Sequence, residues 1–475
     1  MGRQTASQIT FAEAEMVAQP MALNPILQRI STLLDGQKDL ADKVHADLTR
    51  GLKRWRTGRN GITAAQVLRS FILLRIKDWD LRELRERVAD GYSLRVFAHF
   101  YSGPVPNHQT FSRNFNRLRP ETIRFLNDAV VDAAAEMGLA KTDKIRTDTT
   151  VVETNIHFPT DSGLLWDVVR VHTRLVKQLR QELGTILRCD FSNRIRRARR
   201  RMQEISRMTG RQRSRQQIRK YRDLLQVTEA VMQNAVAHVA KAKPLVDRLD
   251  PMQAAIVIGL IRQIEEFRRL GQRVVNQTRR RIIGGEQVPV DEKLFSIFEP
   301  HTDLIVRGKA RTPVEFGHKV RLVESGIGLI TDYEILKGNP ADQDHIKPTL
   351  QHHKGRFGAA PELVASDRGF HSDDNVAACK KAGVITESIP QRGGQKTPKR
   401  EAHEKSPAFK RAQRFRAGVE GRISVLFRGR GMKRCLPHGL DRFDVFVGVA
   451  VLANNLLVLA ALIENKQKKR RPAAA

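Results

Sequence analysis

The sequence predicts an α/β protein: a mixed β-sheet flanked by helices, with a helical domain ahead of it and an α-helical insertion between its first and second strands. Three observations point there. A Thr- and Val-rich run from Lys144 to Thr154 interrupts a chain whose apolar residues otherwise recur at helical spacing. Helical spacing then returns over residues 166–292. After about Lys293, short alternating apolar runs appear, separated by helical stretches. A chain of 475 residues is long for one core and implies several domains.

Residues 1–50 read as an arm and a short helix, and residues 51–138 as a helical domain. From Ile62, the residues Val67, Phe71 and Leu74 share one helical face, and Leu81, Leu84 and Val88 share the next. Asp90-Gly91 breaks the pattern, and another helix runs from about Ser93. After Gly103-Pro104-Val105-Pro106, Asn107 is a good N-cap for a helix with Phe111, Phe115 and Leu118 on its apolar side. The other side carries His108, Gln109, Ser112, Arg113, Asn116 and Arg117, side chains of the kind that meet base edges and phosphates. That face fits the second helix of a helix-turn-helix, or equally the polar face of a small bundle.

The strand Lys144 to Thr154 opens the predicted sheet domain, residues 139–165 and 293–465. Within the insertion, residues 166–292, the stretch Arg194 to Arg222 holds thirteen Lys and Arg and one acid, Glu204. With so few apolar residues it reads as a solvated helix or loop rather than a core element. Two longer helices follow, broken by Pro244 and Pro251; Leu260, Ile264, Phe267 and Val274 stripe the second, and Gly284-Gly285 ends it. Strands are expected at Gly317 to Val323 and Ile327 to Ile335, joined at Ser325-Gly326. A helix fits Asp342 to His353, a strand Leu363 to Asp367, a helix Asp373 to Ala382 and a strand Val384 to Ser388. A long helix capped by Ser406, with Pro407 in its first turn, continues through Leu426. Without the insertion, three strands, a helix, a strand, a helix, a strand and a helix follow one another. That is the order of the ribonuclease-H-like fold.

Lys and Arg number 84 against 51 Asp and Glu, a net charge of +33. So unbalanced a chain wants an anionic partner, and nucleic acid is the commonest, although composition alone also fits a ribosomal or chromatin-like packing protein. Cys189, Cys379 and Cys435 form no C-x-x-C pair, so neither a disulfide framework nor a cysteine zinc site is expected, and a reducing cytoplasm fits. Met1 to Pro20 lacks a basic segment followed by an apolar run, so no secretory signal is expected. Phe443 to Ile463 is mostly apolar, but Asp444, Asn454 and Asn455 argue for a buried terminal helix rather than a membrane span. Residues 466–475 read as a basic, disordered tail.

Asp148 lies within the first strand, and Asp367 ends another, in Ala365-Ser366-Asp367-Arg368-Gly369. In α/β sheets, sites form at the carboxyl ends of strands. If the two strands are neighbours, the aspartates face each other, and two close carboxylates call for a cation between them. Mg²⁺ takes hard oxygen ligands and keeps positions open for phosphate. Glu420 is the third acid, in Arg416-Ala417-Gly418-Val419-Glu420-Gly421, with Arg416 one turn behind it on the same face. The glycines cost the helix about 1 kcal/mol each relative to alanine, a cost that makes sense if the helix approaches another backbone or DNA. Asp143, Glu153, Asp161, Asp373 and Asp374 read as caps or supporting acids, and His352-His353 as a polar helix end.

On these residues the chain resembles the Asp-Asp-Glu transposases of bacterial insertion sequences, in the ribonuclease-H-like, retroviral-integrase superfamily. The matching stretches are Arg146 to His157, Lys309-Ala310 through Glu315 to Val320, Ser366 to Phe370, Arg416 to Glu420, and Gln109 to Arg113 near the start. The resemblance implies Asp148, Asp367 and Glu420 as catalytic and metal-binding residues, Arg416 in support, and two Mg²⁺ or Mn²⁺ ions. It implies double-stranded DNA partners (terminal inverted repeats and target), a homodimer on DNA, no membrane, and a cytoplasmic, nucleoid-associated protein. The expected chemistry is hydrolysis at an element end, then attack of the freed 3′ hydroxyl on target DNA. Arg196, Arg197, Arg200, Arg428 and Lys433 join His108, Gln109, Ser112, Arg113 and Arg117 as DNA-contact candidates. The chain departs from that family's pattern in three respects: Gln413 and Phe427 stand where the family carries a Tyr and a Lys, and the helical insertion falls between the first and second acids, whereas many of the family place theirs between the second and third. The rival readings are an inactive DNA-binding descendant and a nuclease that cuts without joining.

Overall fold

A computed structural model describes residues 24–53, 57, 61–208, 213–306 and 313–470. The expected N-terminal arm through residue 23, the end of the tail, Lys309-Ala310 and part of the basic stretch fall outside them. The chain divides into two compact units, Met1–Glu153 with His318–Ala475, and Thr154–Gly317.

Among the described residues the first unit begins with seven helices: α1 Pro25–Asp35, α2 Lys38–Thr49, α3 Ala64–Lys77, α4 Leu81–Asp90, α5 Tyr92–Phe97, α6 His108–Phe115 and α7 Pro120–Glu136. Their starts follow local chemistry. Thr63 and Gln66 form a reciprocal capping box on α3, and Asp80 caps α4. Asn107 Oδ1 accepts the Thr110 N–H at 2.9 Å to start α6, as its sequence implies. Phe111, Phe115 and Leu118 are buried, with Phe115 stacked on Phe71 of α3 at 4.3 Å between ring centroids.

Strand β1, Lys144–Thr154, follows. From Lys144 to Asp148 burial alternates, with Ile145 and Thr147 inward; Thr149 to Val152 are then all buried. The leading half of the strand therefore has one open face, which carries Arg146 and Asp148.

The second unit is built on α8 Asp161–Leu183, α9 Ile195–Ser206, α10 Arg213–Ala242 and α11 Pro251–Thr278, all between β1 and the short strand β2, Asp303–Val306. Leu164, Val168, Leu175, Leu224, Val231, Leu260, Ile264 and Val274 belong to its single apolar core. The basic stretch departs from expectation. Its first part is a regular helix, α9, docked through buried Ala198 and Ile205, while Arg197 and Arg201 pair with Asp223 on α10. Two apolar residues seven apart suffice to seat one helical face, a signal too sparse to stand out among so many arginines.

The remaining elements are β3 Val314–Ser325, β4 Ile330–Leu336, α12 Ile346–Phe357, β5 Leu363–Ala365, α13 Asp373–Ala382, β6 Thr386–Ser388, α14 Pro398–Lys405, α15 Pro407–Gly429, β7 Arg434–Cys435 and α16 Leu440–Arg470. β4 starts later than the sequence suggests, because residues 326–329 make the turn and Gly328 adopts φ +92°. Asp342–His345 forms a separate 3₁₀ turn before α12. β5 ends at Ala365, since Asp367 leaves the sheet to cap the next turn. α14 was not anticipated.

Within the first unit the strands run β3-β1-β5-β6, with β4 paired to β3 and β7 to β1; in the second unit β2 pairs antiparallel with residues 314–317 of β3. β5 is parallel to both β1 and β6. Helix α16 is long and apolar enough to cross a membrane by composition, yet 72% of its apolar window is buried in the fold. Its asparagines serve that packing: Asn455 pairs with both backbone groups of Ile330 on β4, and Asn454 accepts from Arg422.

Candidate active site

The register of β1 on β5 aligns Arg146 with Ala365. Asp148 and Asp367 each lie two residues further along, so they reach the same level beyond the carboxyl end of β5. The Thr149 N–H donates to Asp148 Oδ1 at 2.8 Å, and the Gly369 N–H to Asp367 Oδ1 at 2.7 Å. Asp148 is 16% exposed. Burial first, and then the charge of Asp367, push its carboxyl up to about 6, against the pull of the Thr149 amide and Arg416.

Glu420 is positioned differently. It is 64% exposed and accepts from Arg416 Nη2 at 2.7 Å, while Arg416 Nη1 lies 3.9 Å from Asp148 Oδ2. Arg416 thus stands between the strand acid and the helix acid. Among the described residues no three His, Cys, Asp or Glu side chains are grouped to hold a metal ion. Asp148 and Asp367, hard oxygen donors whose mutual repulsion a cation would relieve, fit a divalent ion; in this conformation Glu420 engages Arg416 instead.

Helix α15 is held to the sheet by a charged clamp. Glu324 on β3 is fully buried and accepts from Arg146 Nε at 2.7 Å and Arg422 Nε at 2.9 Å. Arg146 also donates to the Phe415 carbonyl at 2.6 Å. A Cβ on Gly418 would fall on the Arg146 guanidinium, whereas one on Gly421 would meet nothing. The close approach anticipated for this helix is real at Gly418, and its neighbour is a strand arginine. Gln413 donates to the Ser366 carbonyl at 3.3 Å and the Ser388 carbonyl at 2.8 Å, tying the helix to the ends of β5 and β6. Phe427 is half-buried against the core.

Three residues of this site have no role in the sequence reading: Glu324, Lys319 and Asp342. Their signal is a charge at an inward position of β3 for the first two. Asp342, in the turn before α12, accepts from Thr149 Oγ1 at 2.8 Å and pairs with Lys319 Nζ at 2.7 Å. The alternative acids are engaged elsewhere. Glu404 binds Lys396 and Arg400, Asp374 pairs with Lys347, and Glu153 pairs with Arg434. His352 pairs with Asp332, and His353 is buried.

Of the DNA-contact candidates, Gln109 and Arg113 on α6 are exposed and His108 and Ser112 half-buried, while Arg117 donates to the Arg50 carbonyl. On α9, Arg196 and Arg200 are exposed, as is Arg199; Arg197 is taken up by Asp223. Arg428, in the last turn of α15, and Lys433, beyond it, are exposed.

Residues 18–117, which include α1 to α6, match a family model described as Transposase domain (DUF772). That match supports a transposase, and with it a DNA-processing enzyme. No curated protein and no solved structure matches the chain.

Proposed function

We propose that the protein is a DNA transposase of the Asp-Asp-Glu class, with a ribonuclease-H-like catalytic domain that cleaves element ends and joins them to target DNA. The observation that carries the reading is that Asp148 on β1 and Asp367 just past the end of the adjacent parallel strand β5 come together, in a chain whose first helices match a transposase domain. The strand order β4-β3-β1-β5-β6 supports the fold assignment. Asp148 and Asp367 would hold Mg²⁺ or Mn²⁺ ions, with Glu420 as third ligand once it parts from Arg416. When bound, two such ions activate the attacking oxygen and stabilise the leaving one.

The protein's own residues do the rest. The Thr149 and Gly369 amides orient the aspartates, and the clamp on Glu324 fixes α15 beside them. Arg416, freed of Glu420, offers a positive charge beside Asp148. Arg113 on α6, Arg428 at the end of α15 and Lys433 beyond it are candidates for phosphate contacts of the first unit, and Arg196 and Arg200 for those of the second.

Asp148→Asn, Asp367→Asn and Glu420→Gln test this. Each should still fold and bind double-stranded DNA, because affinity comes from the basic surface. Cleavage and strand transfer in Mg²⁺ should both fall by several orders of magnitude. Wild-type cutting by Asp148→Asn or Asp367→Asn would end the proposal; wild-type cutting by Glu420→Gln alone would move the third ligand elsewhere. Cleavage without strand transfer onto a pre-cut end would leave a nuclease.

A further inference from the structure

Each candidate catalytic aspartate is capped by the amide of a nearby residue, Asp148 by Thr149 and Asp367 by Gly369. Both capping residues touch one further carboxylate. Asp342 Oδ1 accepts the Thr149 hydroxyl at 2.8 Å, and a Cβ built on Gly369 would lie 3.1 Å from Asp342 Oδ2. The same Cβ would lie nearer still to Asp367 Oδ1, at 2.9 Å, so the turn after β5 passes close to Asp342 with little room at Gly369. The same Asp342 oxygen takes the buried Lys319 ammonium of β3 at 2.7 Å, and that ammonium also donates to the Pro340 carbonyl at 2.8 Å. One side chain thus joins β1, β3 and the turn carrying Asp367. Its Oδ1 is already taken by the Thr149 hydroxyl and the Lys319 ammonium.

We infer that Asp342 is a positioning residue: through Thr149 and Gly369 it sets the separation of Asp148 and Asp367, and so the affinity of that pair for a divalent cation, without being a ligand itself. This rests on the proposed reading of the two aspartates as cation ligands. Residues that orient metal ligands commonly change metal affinity by roughly 10- to 100-fold when removed.

The test is Mn²⁺ binding to the full-length, DNA-free protein, read from loss of the free-ion signal in electron paramagnetic resonance. Asp342→Ala alone strands a buried ammonium and can fail to fold, so it is made together with Lys319→Met, with retained helical circular dichroism as the folding control. That double variant should bind Mn²⁺ about 10- to 100-fold more weakly than wild type. Asp342→Asn keeps an oxygen for Thr149 and Lys319 and should stay within a few-fold of wild type, whereas Asp148→Asn should lose binding. Wild-type affinity in the folded double variant would overturn the inference. So would an Asp342→Asn variant as deficient as Asp148→Asn, because Asp342 would then be a ligand. Undiminished binding by Asp148→Asn would instead overturn the underlying reading of the site.

Discussion

Asp148 owes its properties first to burial and then to a partner more than two hundred positions away in the chain. Burial and the charge of Asp367 hold its carboxyl at about 6, so the folded protein keeps a proton there that the unfolded chain releases near 3.8. An acid with a raised folded pKa stabilises the fold relative to its charged form at low pH. That contribution is present below about 4 and is lost as pH climbs toward 6. Two pKa units correspond to about 3 kcal/mol, with the pull of Arg416 already included. Asp148→Asn, which cannot ionise, should therefore be more stable than wild type at pH 8 without metal, by about 1–3 kcal/mol. The difference should vanish near pH 4. Saturating Mg²⁺ should raise the wild-type melting temperature at pH 8 and leave the variant where it was. Melting curves at the two pH values decide it, and a gap of equal size at both would show that the fold does not raise the Asp148 carboxyl.

At the level of elements, α15 shows what a helix position demands of its residue. Gly418 and Gly421 are three residues apart and look alike in sequence, yet only Gly418 faces a pinned neighbour. The Arg146 guanidinium cannot swing away cheaply, being held by buried Glu324, by the Phe415 carbonyl, and over the Phe415 ring at 4.8 Å. Gly418→Ala should cost about 1–3 kcal/mol of stability through this overpacking. Gly421→Ala should be neutral or stabilising by up to about 1 kcal/mol, since alanine is the better helix former. Chemical denaturation of the two variants separates them, and equal effects would mean that the clamp is soft. The same contrast explains which parts of the fold could be read in the sequence. β1, α13 and the starts of α6 and α15 carry their own signals in β-branched runs, Asn107, Ser372 and Ser406-Pro407, and they fall where those residues imply. Asp148 and Asp367 stood out because a strand, a strand end and a family motif mark them. Lys319 lies in a matching stretch, whereas Glu324 and Asp342 have no such mark: each of the three matters through a partner on another strand or turn, and no local pattern encodes that pairing.

Over the whole molecule, a net charge of +33 resists compaction unless it is balanced locally or left at the surface. The second unit does both on one helix. Asp223 takes up Arg197 and Arg201 of α9, and Glu204 pairs with Arg201 and Lys220, whereas Arg196, Arg199 and Arg200 are exposed. If this unit binds DNA as proposed, the two sets should contribute unequally. Each phosphate neutralised by a free cation steepens the log–log salt dependence of binding by about 0.9, while a cation already paired with a carboxylate releases fewer counterions. Replacing Arg196, Arg199 and Arg200 together with Gln should flatten the slope on double-stranded DNA by roughly two to three units. Arg197→Gln should change it by less than a single free arginine does, and its main effect should be on the seating of α9. Binding isotherms across a salt series, with circular dichroism to confirm that α9 persists, give both numbers. An unchanged slope in the triple variant would assign these arginines to solvent and leave the DNA contacts to the first unit, on α6 and after α15.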